Sequence, residues 1–210
     1  MTLSLAIVTP WLDHLDLAPA YWRAVGVRTG DVGVVIVDDG SARPVPEAAV
    51  THERPLGFSR SCNDGADAAN GAEALLFLNN DIALAADWWL HAIRAEVGPG
   101  RVVGPRMRMD AHATVDGRPQ PWIEGWCLAI TATDLAAIGG WDEGYEEPAY
   151  FGDNDLCARA RAAGMKLVEV PCGLHHLDGV TRRDFDDVVP SVTGRNRGRY
   201  AARVRELGLA

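Results

Sequence analysis

Four short polar clusters carry the chemistry of this chain. Asp38 and Asp39 close an apolar run in "VGVVIVDDGS". Asp-Gly-Ser is good turn chemistry, and a carboxylate there also suits a hydrogen bond from a nucleobase or ribose. Asn79, Asn80 and Asp81 close a second run, "ALLFLNND". The trio favours a turn. It also offers the oxygen ligands that a hard divalent cation takes while keeping water or substrate phosphates in its shell. Asp153, Asn154 and Asp155 open an amphipathic stretch that Gly164 ends. An Asp there caps the exposed amides, and the helix N-terminus is expected to keep Asp153 ionised, as a base, at neutral pH. Glu143, Glu146 and Glu147 make the same region strongly acidic. His175 and His176 stand at the end of an apolar run. In extended chain their rings face opposite sides, so only one of the two candidate ligands reaches a site.

The elements that must position these clusters alternate in type. Apolar runs at 3–8, 32–37 and 74–78 read as buried strands, the first stopped by Pro10. Helical stretches are predicted at 15–27, 60–70 and 86–97, the last with Trp89, Ile93 and Val97 on one stripe and Pro99-Gly100 as its stop. The second half is less regular. It holds a strand near 125–130, a short helix near 133–138, a helix from about Asp153 to Gly164, and a strand at 166–171. A terminal helix follows, with Tyr200, Val204 and Leu207 as its apolar stripe. This alternation predicts an α/β fold: a Rossmann-like, mostly parallel sheet with helices on both faces. Ligands bind beyond the carboxyl ends of such strands, where the clusters fall.

Length and composition set the frame. A chain of 210 residues, 48% hydrophobic and 23% charged, fits one globular domain over 1–210. No apolar run approaches the ~18 residues of a membrane span. The N-terminus lacks a basic segment, so no signal peptide is expected. Cys62, Cys127, Cys157 and Cys172 show no C-x-x-C spacing, which disfavours a zinc site or a disulfide framework and fits the cytoplasm. The net charge of −9 argues against a general polyanion binder. Yet residues 181–210 form a basic tail, with seven arginines against four acids. Arg195, Arg199 and Arg203 share a helix face, flanked by Arg197 and Arg205. The stripe is either a solvated face or a grip on phosphate, of a donor or of an anionic acceptor.

In combination the motifs "AIVTPW", "VVIVDDGS", "LGFSRSCNDG", "LLFLNND", "IGGWDE", "YFGDNDLCARARAAG" and "VPCGLHH" resemble family 2 glycosyltransferases of the GT-A fold, over roughly residues 3–181. The resemblance implies roles residue by residue. Thr9 and Pro10 lie against the base and ribose of a nucleotide-diphosphate sugar. Asp39 bonds the base with Asp38 beside it, and Gly57 to Asn63 start a helix near the nucleotide. Asn79-Asn80-Asp81 stands where the family has Asp-x-Asp, so Asp81 is the metal-binding acid and Asn79 departs from the pattern. Asp153 matches the catalytic base. Gly152 replaces the usual Glu, which leaves the acceptor contact of that Glu without its residue. His175 matches the metal-contacting His, with His176 as the fallback.

What this implies is a metal-dependent, inverting hexosyltransferase using manganese or magnesium and, by family habit, a UDP-sugar. A metal held by Asp81 and His175 stabilises the departing diphosphate, and Asp153 takes the proton of the acceptor hydroxyl. Trp126 and Trp141 are candidates for an apolar sugar platform, or for core, and Asp155 for acceptor positioning or capping. The acceptor stays open between glycan, lipid-linked sugar, small molecule and hydroxymethylated DNA base. Two rival readings exist. A sugar-phosphate nucleotidyltransferase usually opens with a Gly-rich loop, where this chain has "TPWLDHLD". A catalytically silent nucleotide-sugar or carbohydrate-binding domain has no need of Asp81, Asp153 and His175 together.

Overall fold

The computed structural model describes residues 3–26, 32–147, 150–177, 180, 184 and 186–210. In chain order the elements are β1 (Leu5–Trp11), α1 (Ala18–Val25), β2 (Val32–Asp38), β3 (Val50–Thr51), α2 (Phe58–Ala68), β4 (Ala74–Leu78), β5 (Ile82–Leu84) and α3 (Trp89–Glu96). Then follow β6 (Arg101–Gly104), β7 (Met107–Arg108), β8 (Thr114–Val115), β9 (Arg118–Pro119), β10 (Trp122–Ile123), β11 (Cys127–Thr131), α4 (Ala132–Ala137), α5 (Gly152–Ala162), β12 (Lys166–Glu169), β13 (Leu174–His176) and α6 (Val189–Glu206). Residue 27 of the first predicted helix, and Arg182 and Arg183 of the basic tail, lie outside the described residues.

Seven strands form the central sheet in the order β12-β6-β11-β4-β1-β2-β3. It is the α/β sheet that the alternation predicts, with β11 running antiparallel to β4 and β6. Its middle strands are apolar on both faces because both faces are covered. Val8, Phe77 and Leu128 pack with Cys62 of α2, Leu135 of α4, Leu156 of α5 and Tyr200 of α6. Ile7, Leu76 and Ala129 pack on the other side with Tyr21 of α1 and Trp89 and Ile93 of α3.

Pro10 does not stop the first strand, which runs on to Trp11. The ladder to β4 ends at Val8, while that to β2 continues to Trp11 and Asp38. Pro10 therefore costs no bond on the β4 side. Gly65 lets α2 lie flat on the sheet, since a Cβ there would collide with Val8 Cγ1. The four cysteines are free. Among the described residues no helix is long and apolar enough to cross a membrane.

The arginine stripe is a solvated face, one of the two readings expected, and its charges are paired within the chain. Arg195 pairs with Glu146 at 2.7 Å, Arg199 and Arg203 with Asp142 at 2.9 and 3.1 Å, and Arg205 with Asp116 at 2.7 Å. Arg199 also covers the ring of Tyr145 at 5.2 Å. The tail thus clasps the acidic 142–147 segment of its own chain. Arg195→Glu with Arg199→Glu is expected to lower the thermal midpoint and to leave nucleoside diphosphate affinity unchanged at low and high salt. A salt-dependent loss of affinity would return the stripe to the phosphate grip.

Candidate active site

The carboxyl ends of β1, β2 and β4 open into a cleft of about 940 Å³. Pro10, Asp39, Gly57, Asn79, Asn80, Asp81, Trp126 and Asp153 all line it, so residues far apart in sequence converge there. Six of the expected residues do not, His175 and Asp155 among them. Thr9 is buried and shares a 2.7 Å hydrogen bond with the Tyr21 hydroxyl. Asp38 turns away from Asp39, as neighbours on a strand must, and accepts the Ser41 and Val45 N–H groups. Asn63 clamps the chain at Trp141, accepting its N–H and donating to its carbonyl, both at 2.9 Å. Trp141 is core, edge-on to Phe58 and Phe77, rather than a sugar platform.

The histidine assignment also changes. β13 pairs antiparallel with β5, setting His176 opposite Ile82 and His175 opposite Ala83. The period of two then turns His176 into the cleft and leaves His175 exposed. His176 Nε2 lies 3.1 Å from Asp81 Oδ1, and the Val180 N–H donates to Asp81 Oδ2. Burial alone would raise the Asp81 carboxyl, but His176 and that N–H outweigh it and hold it below the ordinary carboxylate value. Trp126 stacks on the His176 ring at 5.0 Å and 5°, which fixes the ring plane. An ionised oxygen donor beside an imidazole nitrogen fits manganese or magnesium carried in with a diphosphate. Among the described residues no group of three or more His, Cys, Asp or Glu is arranged around one point as a metal cage.

Across the cleft, Asp153 accepts the Gly125 N–H at 3.0 Å and the Asn154 N–H at 2.9 Å. Phe151 before it is held at φ +86, a strained value for a non-glycine residue, with its ring stacked on His112 at 4.4 Å. Asp153 remains a base at neutral pH, as expected, although the amides at the helix start do not hold its pKa low. Burial dominates, the two N–H groups offset part of it, Glu124 adds repulsion, and the carboxyl is pushed up to about 6. That value suits a base working near neutral pH better than an ordinary carboxylate. Asp155 faces the interior, fully buried, and takes Tyr145 at 3.0 Å, Arg159 at 2.6 Å and Arg203 at 3.3 Å. It ties α5 to α6 and does not reach an acceptor.

Several cleft residues carry no motif. Glu124 receives Arg108 at 3.0 Å and the Trp126 indole N–H at 2.9 Å. Glu147, exposed as a residue, turns its carboxyl onto the first amides of α2, with the Ser59 N–H at 3.3 Å, and the enclosure of that carboxyl with the charge of Asp39 pushes its pKa up. Gly57, at φ +102, leaves the room that Glu147 needs, because a Cβ there would strike its Cγ. Both signals lay in the acidic run and the glycine, but pairing them needs the fold. The Asn80 and Asn154 carboxamide N–H groups are buried at the cleft without a protein partner, and an oxygen-rich ligand would satisfy them.

No family model matches the chain. A stretch of 69 residues is 39% identical to an N-acetylglucosaminyl-diphospho-decaprenol L-rhamnosyltransferase of Mycobacterium tuberculosis, covering 32% of this chain and 22% of that protein. Among solved structures the chain is similar to a mannosyltransferase of Pyrobaculum calidifontis in complex with GDP-Man and Mn2+. The TM-score is 0.64 at 15% identity, over 81% of this chain and 55% of that one. It is also similar to GalNAc-T7 with UDP, GalNAc and Mn2+, at TM-score 0.67 and 15% identity, over 85% of this chain and 44% of that one. The fold is the GT-A fold of glycosyltransferases. The chain spans about a quarter of the length of the curated relatives it matches.

Proposed function

We propose that this chain is a metal-dependent, inverting glycosyltransferase that moves a sugar from a nucleotide-diphosphate donor to an acceptor hydroxyl. The observation that carries the reading is the convergence, in one cleft, of an ionised Asp81 with His176 and of Asp153 with its raised pKa. Carboxylates tuned in opposite directions by their surroundings mark distinct chemical roles. Asp81 and His176 would hold the cation, which supplies Lewis-acid stabilisation to the leaving diphosphate when bound. Asp39 and Gly57 receive the base end of the donor. Asp153 takes the proton of the attacking hydroxyl, and attack from the side opposite the diphosphate inverts the anomeric centre. Trp126 lends an apolar face to a sugar ring.

UDP is favoured among donors, with GDP and dTDP next. The two structural relatives were solved with GDP-Man and with UDP. Guanine and uracil both carry the ring N–H that a carboxylate such as Asp39 accepts. The rhamnosyltransferase relative is named for a diphospho-lipid acceptor, which keeps a lipid-linked sugar in the acceptor screen. The test is a thermal-shift screen of nucleoside diphosphates with and without manganese, followed by turnover of the matching nucleotide sugars. Ligand binding to the native state raises the melting temperature by mass action. A manganese-dependent rise with UDP or GDP, and release of the diphosphate on turnover, is expected. Tight binding without turnover on any acceptor would favour a silent binding domain.

A further inference from the structure

β3 is only two residues long, and its position is informative. It pairs with β2 at Val37 and Asp38, and the His52 N–H that follows donates to the Asp38 carbonyl at 2.9 Å. This seats the His52 ring between two acids. Nδ1 lies 2.7 Å from Asp39 Oδ1, and Nε2 lies 2.9 Å from Asp64 Oδ2. Arg60 Nε donates to the same Asp64 oxygen at 2.7 Å. The His52 and Asp39 side chains are each 7% exposed. A carboxylate oxygen accepts, so the Asp39 contact is read with Nδ1 as the donor.

The lone pairs of Asp39 can be counted. Oδ1 accepts from His52 and from the Leu56 N–H at 2.8 Å, which fills it. Oδ2 accepts from the Gly57 N–H at 2.9 Å, which leaves one lone pair in a carboxylate that lines the cleft. We propose that His52 is the specificity-determining partner of Asp39: by filling Oδ1 it leaves a single acceptor for the nucleobase. The inference rests on the reading of the cleft as a nucleotide-sugar site and assigns that site its base selectivity.

One fixed acceptor matches one ring N–H, as in uracil, thymine and guanine. Cytosine and adenine present a ring lone pair at that edge, which an acceptor repels. With His52 removed, Oδ1 regains a lone pair, while the Leu56 and Gly57 N–H groups still hold the carboxylate. It then also accepts an exocyclic amine, so cytosine and adenine gain relative to uracil. Asp64 and Arg60 hold the far edge of the ring and keep Nδ1 aimed at Asp39.

The experiment is calorimetric titration of the chain, in the presence of manganese, with UDP, dTDP, GDP, CDP and ADP, with inorganic pyrophosphate as the base-free control. The parent protein is expected to prefer the best ring N–H diphosphate over CDP by at least about tenfold, the range that one unmatched buried hydrogen bond gives. His52→Ala is expected to collapse that ratio to within about threefold, with pyrophosphate affinity unchanged. Two amide variants separate positioning from folding. His52→Asn places an N–H near the Nδ1 position and retains the ratio. His52→Gln places one near Nε2, serves Asp64, and loses it. Should His52→Ala fail to fold, the Asn and Gln pair decides the matter. Equal ratios in the parent, Asn and Gln proteins overturn the role of His52 and leave the donor reading standing. If none of the five nucleotides binds the parent, the donor reading falls and this inference with it.

Discussion

Asp153→Asn keeps the fold and the affinity for nucleoside diphosphate, while transfer falls by about 10²–10⁴-fold, the contribution of a positioned general base. The pH profile of the parent enzyme is the companion measurement. Burial has pushed the Asp153 carboxyl up to about 6, so transfer falls as pH drops through that value and levels off above it. The effect on stability has the opposite sign from that of an ordinary paired acid. The folded pKa lies above the ordinary carboxyl value of 3.8, so the folded state binds this proton more tightly than the unfolded chain does. Its contribution declines as pH rises from about 3.8 to about 6 and is constant above. Asp153→Asn removes that penalty and is expected to be more stable than the parent near neutral pH, by on the order of 2 kcal/mol.

Asp155→Asn is the matched control. Asp155 is fully buried against Arg159 and Arg203, and removing one member of such a set strands the others. A loss of about 3 kcal/mol in denaturant melts is expected, with transfer by the folded fraction near normal. Near-normal transfer by Asp153→Asn, or a stable but inactive Asp155→Asn, would move the base to the other carboxylate.

The parts of this site legible in the sequence are those that hydrophobic runs point to. Asp39 and Asp81 close apolar strands, and Asp153 opens a helix whose end Gly164 marks, so each could be placed at a strand or helix terminus. Period two decides between neighbours, and it decided against Asp38 and His175. That outcome depends on where each strand pairs, which no single segment states. Trp141 illustrates a different gap. Its type suits a sugar platform equally well, and only the flanking Phe58 and Phe77 rings make it core.

Residues on very short strands were not legible at all. His52 follows a two-residue strand, Arg108 closes another, and Glu124 follows a third. Two residues cannot show a period, so nothing in the pattern singles them out. The arginine stripe was visible at i, i+4 and i+8, but its partners were not. Asp142 and Glu146 lie 57 and 49 residues from Arg199 and Arg195, and only the packing of α6 beside α5 brings them together.

The second large effect is expected at the cation. Asp81→Ala should abolish the manganese-dependent part of nucleoside diphosphate binding and lower transfer by about 10³-fold, since charge stabilisation by a metal supplies several kcal/mol to such a step. His176→Ala and His175→Ala then form a paired test of the strand register. The register sets His176 beside Asp81 and leaves His175 exposed on the opposite side, so the two substitutions differ by one position and by an entire face. His176→Ala is expected to weaken manganese-dependent binding by at least about tenfold, the usual scale for a group that orients or contacts a metal. It also removes the ring on which Trp126 stacks, so His176→Gln, which keeps a polar reach toward Asp81, should recover part of the binding. His175→Ala should match the parent in UDP affinity, manganese response and transfer. Manganese titrations in the presence of UDP on all four variants decide the assignment. Loss in His175→Ala with a normal His176→Ala would reverse the face of β13 that meets the cation.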